Sequence, residues 1–341
     1  MNKDFSTKER IRQHIEKSDG CTGPELAELL GISRQAVSLH LRQLIAKGEI
    51  FKTGSTRNAQ YFPKSAMPAA QTVERELALD GLDESTVYQD LAITLTLSRL
   101  SKHVESVVHY SFTEILNNAI DHSGAAQCTM DVRLDASKIT FDIRDKGIGA
   151  FHSIADKFGL EDEHHAMIEL IKGKTTTQPQ AHSGEGIFFV SKAADRFVLR
   201  SHNLQIEWDH DRGDVFVSEQ RFLAGTQVQF ELRTDSRTRL EEVFAEFAPE
   251  EYDFQFTKTR VLVKLLQREY ISRSEAKRLL HNLEKFSEVE LDMRDVSRIG
   301  QGFADEVFRV FQKAHPETQV RAINANKAIA AMIQHTGGEV N

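Results

Sequence analysis

Residues 114–122 read Glu-Ile-Leu-Asn-Asn-Ala-Ile-Asp-His. On a helix, Glu114, Asn118 and the Asp121/His122 pair recur at i, i+4 and i+7/i+8 and share one face. Asn118 offers that face a neutral amide oxygen, a hard ligand for Mg2+ that also carries phosphate oxygens. Glu114, one turn earlier, is the group to polarise a water or hydroxyl for attack on a phosphate. A second piece, Asp145-Lys146-Gly147-Ile148-Gly149, follows an alternating run at 139–143. A carboxylate at a strand end accepts from the exocyclic amine of adenine. Such a bond is worth about 1.5–3 kcal/mol, enough to prefer adenine over guanine. Gly147 and Gly149 let the backbone approach the base with no Cβ in the way. The third piece, His182-Ser183-Gly184-Glu185-Gly186-Ile187, opens a helix whose free amides and dipole favour phosphate. A fourth, Gly225-Thr226, puts a hydroxyl at the start of a strand.

Between Gly149 and Ser183 strand signals are few, and His152, His164, His165, Lys172 and Lys174 accumulate. This stretch is expected to close over a triphosphate, with Lys174 near the terminal phosphate. Gly173-Lys174-Thr175 is no P-loop, because Ile168 stands where that motif needs glycine. The His164-His165 pair has no third ligand at metal spacing and reads as solvated.

These side chains need a helix packed on a sheet. From about Ser85 a helical pattern carries Leu91, Leu95, Leu97, Leu100, Val104, Val107 and Val108 on one side. Alternating runs at 129–134, 139–143, 196–210, 214–220 and 226–232 supply a largely antiparallel sheet, an α+β pattern. Small residues and prolines at 64–72, and a break in periodicity at 247–251, flank this block. The expected organisation is a head at 1–64, a linker at 65–84, a middle domain at 85–235, a second linker at 236–252 and a tail at 253–341. In the tail, strands at 261–265, 289–292 and 320–323 alternate with helices at about 273–285 and 303–313, a small α/β domain.

In the head, Pro24 opens a short amphipathic helix over 24–30. Gly31-Ile32-Ser33 then turns the chain, plugs the core and caps the next helix. That helix buries Val37, Leu41 and Leu44 and shows Arg34, Gln35, Ser38, His40 and Arg42. Strands at 50–53 and 59–62 form a wing carrying Lys52 and Arg57. Polar side chains early in a helix suit base edges in a major groove, and the wing cations suit phosphate or the minor groove. Charge is distributed to match. Residues 1–64 hold 11 Lys+Arg against 7 Asp+Glu, and the rest holds 32 against 44, for a net charge of -8. A basic head on an acidic body confines nucleic-acid contact to the head.

Residues 11–63 resemble the winged helix-turn-helix domain of bacterial transcriptional regulators. The four pieces within 85–235, in this order and spacing, look like the ATP-binding fold of the GHKL superfamily: gyrase, Hsp-type chaperones, histidine kinases and mismatch-repair ATPases. The Glu-x-x-x-Asn-Ala-x-x-His spacing is most similar to anti-sigma-factor serine kinases. The resemblance implies a Bergerat α/β sandwich with ATP and Mg2+ as cofactors. It implies Glu114 as base, Asn118 as magnesium ligand and Asp145 as adenine reader, with Asp121 and His122 beside the nucleotide. Gly147, Gly149, Gly184 and Gly186 become loop glycines and Thr226 the sheet threonine. A histidine kinase also needs a phosphoacceptor, but His103 and His109 are followed by Val104 and Tyr110 rather than an acidic residue, and read as core or surface histidines.

Residues 253–335, around Leu291-Asp292-Met293-Arg294-Asp295-Val296-Ser297, resemble STAS domains, the fold of anti-sigma-factor antagonists. Aligning Asp292 and Val296 puts Gly300 and Gln301 where an antagonist has its aspartate-serine pair. The acceptor serine is therefore missing, and Ser297 reads as a solvated loop residue.

Composition sets the outer limits. With 40% hydrophobic and 28% charged residues, the chain is made of folded domains. No apolar run approaches the roughly 18 residues a membrane span needs, and the start has no signal-peptide core. Two distant cysteines, Cys21 and Cys128, fit a reducing compartment, so a cytoplasmic location is expected. The sum is a multidomain α+β protein: winged helix, GHKL sandwich and STAS-like domain. It is expected to be an ATP-binding transcriptional regulator that holds double-stranded DNA as a homodimer, with DNA binding modulated by Mg-ATP and by the tail. The tail is the expected contact for a protein partner. The alternative is a serine/threonine protein kinase or ATPase of the anti-sigma-kinase type, targeted to DNA or to partner proteins.

Overall fold

The computed structural model describes residues 6–18, 20–53, 59–64, 70–173, 185–248, 257–265 and 269–340. The head contains α1 Thr7–Glu16, β1 Cys21–Thr22, α2 Gly23–Leu30, α3 Arg34–Ala46, β2 Ile50–Thr53 and β3 Gln60–Pro63. A Thr22/Glu25 capping box starts α2, and Gly31, at φ 62°, ends it. The Ser33 hydroxyl accepts from the Ala36 amide at 3.2 Å and starts α3. Ile11, Ile15, Leu26, Val37, Leu41, Leu44 and Ile50 form the core beneath a β1-β3-β2 antiparallel sheet.

The middle domain begins earlier than its pattern suggested. Residues 71–78, read above as linker, form β4 Gln71–Ala78, which pairs antiparallel with β5 Gln127–Leu134. Only Val73 of β4 is fully buried, so an edge strand dressed in Glu74, Arg75 and Glu76 leaves almost no apolar alternation to read. The helical run from about 85 is two helices, α4 Glu84–Thr94 and α5 Lys102–His122. Thr96 at φ 52° and a 3-10 turn over 97–99 break it, while the apolar stripe continues on both sides. There follow β6 Lys138–Asp145, α6 Ala150–Phe158, α7 Glu163–Lys172, α8 Gly186–Ala193, β7 Arg196–Asp209 and β8 Asp214–Arg233. The five-stranded sheet runs β4-β5-β6-β8-β7, antiparallel throughout. Phe112 of α5 meets Phe141 of β6 edge-on at 5.7 Å, and Phe141 stacks on Phe230 of β8 at 4.3 Å. This aromatic column presses α5, with its polar face, onto the sheet.

Residues 240–247 fall in the expected second linker but form α9 Leu240–Phe247. Phe244 contacts Phe189 at 4.7 Å and Phe247 contacts Phe188 at 5.0 Å, so α9 packs on α8. The tail comprises β9 Lys258–Leu262, β10 Glu269–Tyr270, α10 Arg273–Leu280, β11 Glu288–Asp292, β12 Arg298–Ile299, α11 Gln301–Asp305, a π-helical turn Glu306–Phe311, α12 Gln312–Ala314, β13 Gln319–Ile323, α13 Lys327–His335 and β14 Glu339–Val340. Its main sheet is parallel, in the order β14-β13-β11-β9. The tail's apolar core takes in Phe188 and Phe189 of α8 together with Phe247. Burying each such phenylalanine contributes about 1.5–3 kcal/mol, so these three side chains fasten α8 and α9 to the tail's core. Among the described residues no helix is long and apolar enough to cross a membrane.

Candidate functional site

The polar face of α5 lines a cavity of about 570 Å3 above the sheet. Glu114, Asn118, Asp121 and His122 come from this one helix; Asp145 comes from the end of β6, Thr226 from β8 and Gly186 from the start of α8. Ile143, Leu199 and Val228 give the cavity an apolar floor. Residues as far apart in sequence as Glu114 and Thr226 thus converge by the helix-on-sheet packing.

Asp145 is buried, with 5% of its surface exposed. Its Oδ1 accepts from the Gly147 amide at 2.8 Å and the Thr226 amide at 3.2 Å. Both bonds fall on one oxygen, and among the described residues none falls on the other. Burial lifts the carboxyl above its ordinary value against the pull of those two amides, so an incoming donor on the second oxygen relieves an unfavourable charge. The loop after Asp145 is tight: a Cβ on Gly147 would lie 1.9 Å from the Ser123 carbonyl oxygen. Gly149 caps α6, and the Thr226 hydroxyl accepts from the Ala150 amide at 2.9 Å, tying that helix start to the sheet.

At the other end, the Asn118 amide nitrogen donates to the Glu114 carbonyl at 2.5 Å. That bond fixes the side chain and spares its oxygen, which is what a magnesium ligand requires. The Glu114 carboxylate rests against the first turn of α8: a Cβ on Gly186 would lie 1.9 Å from Glu114 Oε2. Burial, with the nearby carboxylates of Glu114 and Glu185, pushes the Tyr110 phenol far above its ordinary value, so negative charge is concentrated here. The residues present therefore fit a purine nucleotide with a divalent ion. Asp145 would take the base, Asn118 would hold the ion, and the α8 start would face the phosphates. Bound magnesium would supply charge neutralisation.

Sequence reasoning missed Tyr110, Leu170, Phe188, Phe189 and Phe244, all of which line the cavity. Tyr110 was within reach, since it lies one turn before Glu114 on the same face. The others depend on how α7, α8 and α9 pack, which no local pattern encodes. Lys174 and Gly184 lie outside the described residues. His103 Nε2 donates to the Ser236 carbonyl at 2.8 Å, and His109 stacks on Tyr88 at 4.1 Å, so neither belongs to the cavity. His165 bonds Asp162 at 2.9 Å, and among the described residues no group of three or more His, Cys, Asp or Glu could hold a metal.

On the head, Arg34, Gln35, Ser38 and Arg42 are exposed along α3. His40 is not: it is half-buried, with Nδ1 enclosed and without a hydrogen-bond partner among the described residues. It stands three residues after Val37 and four before Leu44, on the stripe that faces the core, which the expectation overlooked. Lys52 Nζ donates to Asp235 Oδ2 at 3.3 Å, so the wing strand touches the middle domain. Arg57 lies outside the described residues.

In the tail, Asp292 is buried and Arg294 clasps it through Nε and Nη2 at 2.7–3.2 Å. Arg294 also donates to the Gly213 carbonyl at 2.9 Å, and Lys264 bridges Asp214 at 2.6 Å and Asp295 at 2.8 Å. The loop carrying Ser297 is thus held at the tip of the β7–β8 hairpin, and no residue lining the cavity comes from it.

Comparison with known families follows the same order. A model described as a winged helix-turn-helix DNA-binding domain matches residues 6–50. One described as a histidine kinase-like ATPase domain matches 65–206. One described as a STAS-like domain of unknown function matches 275–330. No curated protein matches the chain. Thr226 lies beyond the second match, and its assignment rests on its bonds to Asp145 and α6. The chain carries, in order, a winged helix-turn-helix domain, a GHKL-type histidine kinase-like ATPase domain and a STAS-like domain.

Proposed function

We propose that the protein is a transcriptional regulator whose winged helix binds double-stranded DNA under the control of Mg-ATP held in the middle domain. The observation that carries this reading is the single cavity uniting Glu114, Asn118, Asp145 and Thr226 in a chain that also exposes Arg34, Gln35, Ser38 and Arg42 on α3. A link between the two is the Lys52–Asp235 pair, which ties the wing to the stretch just after β8. Exposed pairs of this kind contribute about 0–1 kcal/mol, so DNA phosphates readily displace it. Asp235→Asn is accordingly expected to tighten DNA binding by up to about fivefold at low salt, and the gain should fade as salt rises. A homodimer places two heads on one operator and gains by effective concentration.

The deciding experiment is DNA affinity by fluorescence anisotropy with and without Mg-ATP. Control by nucleotide predicts a shift that disappears in Asp145→Asn; equal affinity in all four conditions rejects it.

The position of Glu114 supports a second reading, an ATPase or serine/threonine protein kinase. Its carboxylate lies against the α8 start, beside the proposed phosphate end of the cavity. With γ-labelled ATP, turnover or transfer lost in Glu114→Gln favours the enzyme. Retained binding with neither in the wild type favours a sensor.

A further inference from the structure

Helix α7 spans two domains. At its start, Glu163 Oε1 lies 2.7 Å from Nδ1 of His202 and 3.5 Å from that of His152, next to the Gly149 turn: a Cβ on Gly149 would lie 2.7 Å from His202 Nε2. At its end, four contacts reach into the tail. The Asn282 amide donates to Glu169 Oε2 at 2.8 Å, and the His281 ring lies 3.4 Å from Glu169 Oε1. Lys172 Nζ donates to the His281 carbonyl at 2.9 Å, and the Thr259 hydroxyl donates to the Lys172 carbonyl at 2.6 Å. Leu170, between these anchors, lines the cavity.

We infer that Thr259, His281 and Asn282 of the tail are positioning residues of the nucleotide site, holding α7 so that the site is competent only while the tail is docked. The inference rests on the nucleotide reading given above. The opposite wall strengthens it: Phe188 and Phe189 line the same cavity and are buried in the tail's core. Both helices that bear on the cavity from this side are therefore set by the tail. Whatever moves the tail changes nucleotide affinity, and nucleotide in turn steadies the tail contact, since coupling between two sites is reciprocal.

Asn282 sits at φ 63°, a backbone that glycine also accepts, so Asn282→Gly removes the amide with little strain. Asn282→Asp keeps the shape and sets a like charge against Glu169. In the full chain, Mg-ATP calorimetry should show binding weakened about tenfold in Asn282→Gly, the loss of one hydrogen bond to a charged group, and more in Asn282→Asp. Arg298→Ala, which breaks an exposed tail ion pair with Glu269 away from α7, should bind as the wild type does. Hydrogen exchange adds a readout that mere loosening does not mimic: Mg-ATP should protect 166–172 and 281–282 together in the wild type and leave both unprotected in Asn282→Asp. Wild-type affinity in folded Asn282→Gly and Asn282→Asp overturns this inference and spares the nucleotide reading. No binding by the wild type overturns both.

Discussion

Replacing Asp145 with asparagine is expected to weaken Mg-ATP binding by about 100-fold or more and to leave the fold intact. The fold survives because the two structural bonds, from the Gly147 and Thr226 amides, both fall on Oδ1, which an asparagine reproduces. The second oxygen becomes an NH2 group. A charged acceptor facing the adenine amine turns into a donor facing a donor, and losing a hydrogen bond to a charged group costs about 1.5–3 kcal/mol before the clash is counted. About 2.7 kcal/mol is already 100-fold. Inosine triphosphate, whose ring has a carbonyl at that position, should lose far less, because the new NH2 group donates to it. Calorimetry with both nucleotides on wild type and variant tests this. Equal losses for the two, or none for ATP, would remove Asp145 from base recognition.

The sequence made this site legible because its parts are local and its geometry repeats. Glu114, Asn118 and Asp121/His122 declare themselves by helical spacing, and Asp145 by the strand before it and the glycines after it. Helix α3 was equally open, since Gly31 and Ser33 mark its start by conformation and capping. His40 was misjudged because polarity was read as exposure, although its spacing from Val37 and Leu44 set it on the core side. The edge strand β4 and helix α9 were hidden for a different reason. β4 buries a single residue fully, and α9 buries only Phe247 fully and owes its place to aromatic contacts with α8. The sharing of Phe188 and Phe189 between cavity and tail was least legible. It joins residues more than 70 positions before the first tail residue of that core, Val261, and no periodicity encodes such a contact.

Removing the ammonium of Lys172 is expected to be the most destabilising single change at the middle–tail junction, about 3–5 kcal/mol for Lys172→Met. Lys172 and Glu169 form an ion pair at 2.8 Å with side chains only 2% and 9% exposed. Burial alone would raise the Glu169 carboxyl. Lys172, Asn282 and His281 together outweigh it and hold the carboxyl below its ordinary value. Burial depresses Lys172 as well, although Glu169 opposes the shift. Taking away the cation leaves burial in command, so in Lys172→Met the folded carboxyl rises above its unfolded value. A group raised in this way contributes stability below its unfolded pKa and loses it as pH climbs through the folded one. The deficit should therefore be smallest in acid and widen towards neutral pH. Glu169→Gln combined with Lys172→Met should recover much of the loss, because a neutral amide in place of the carboxylate no longer strands a buried charge. Urea unfolding of wild type, both singles and the double across pH 5–8 measures the coupling. A Lys172→Met deficit that is independent of pH, or a double mutant as unstable as the sum of its singles, would mean that the pair is not the electrostatic fastening of α7 to the tail.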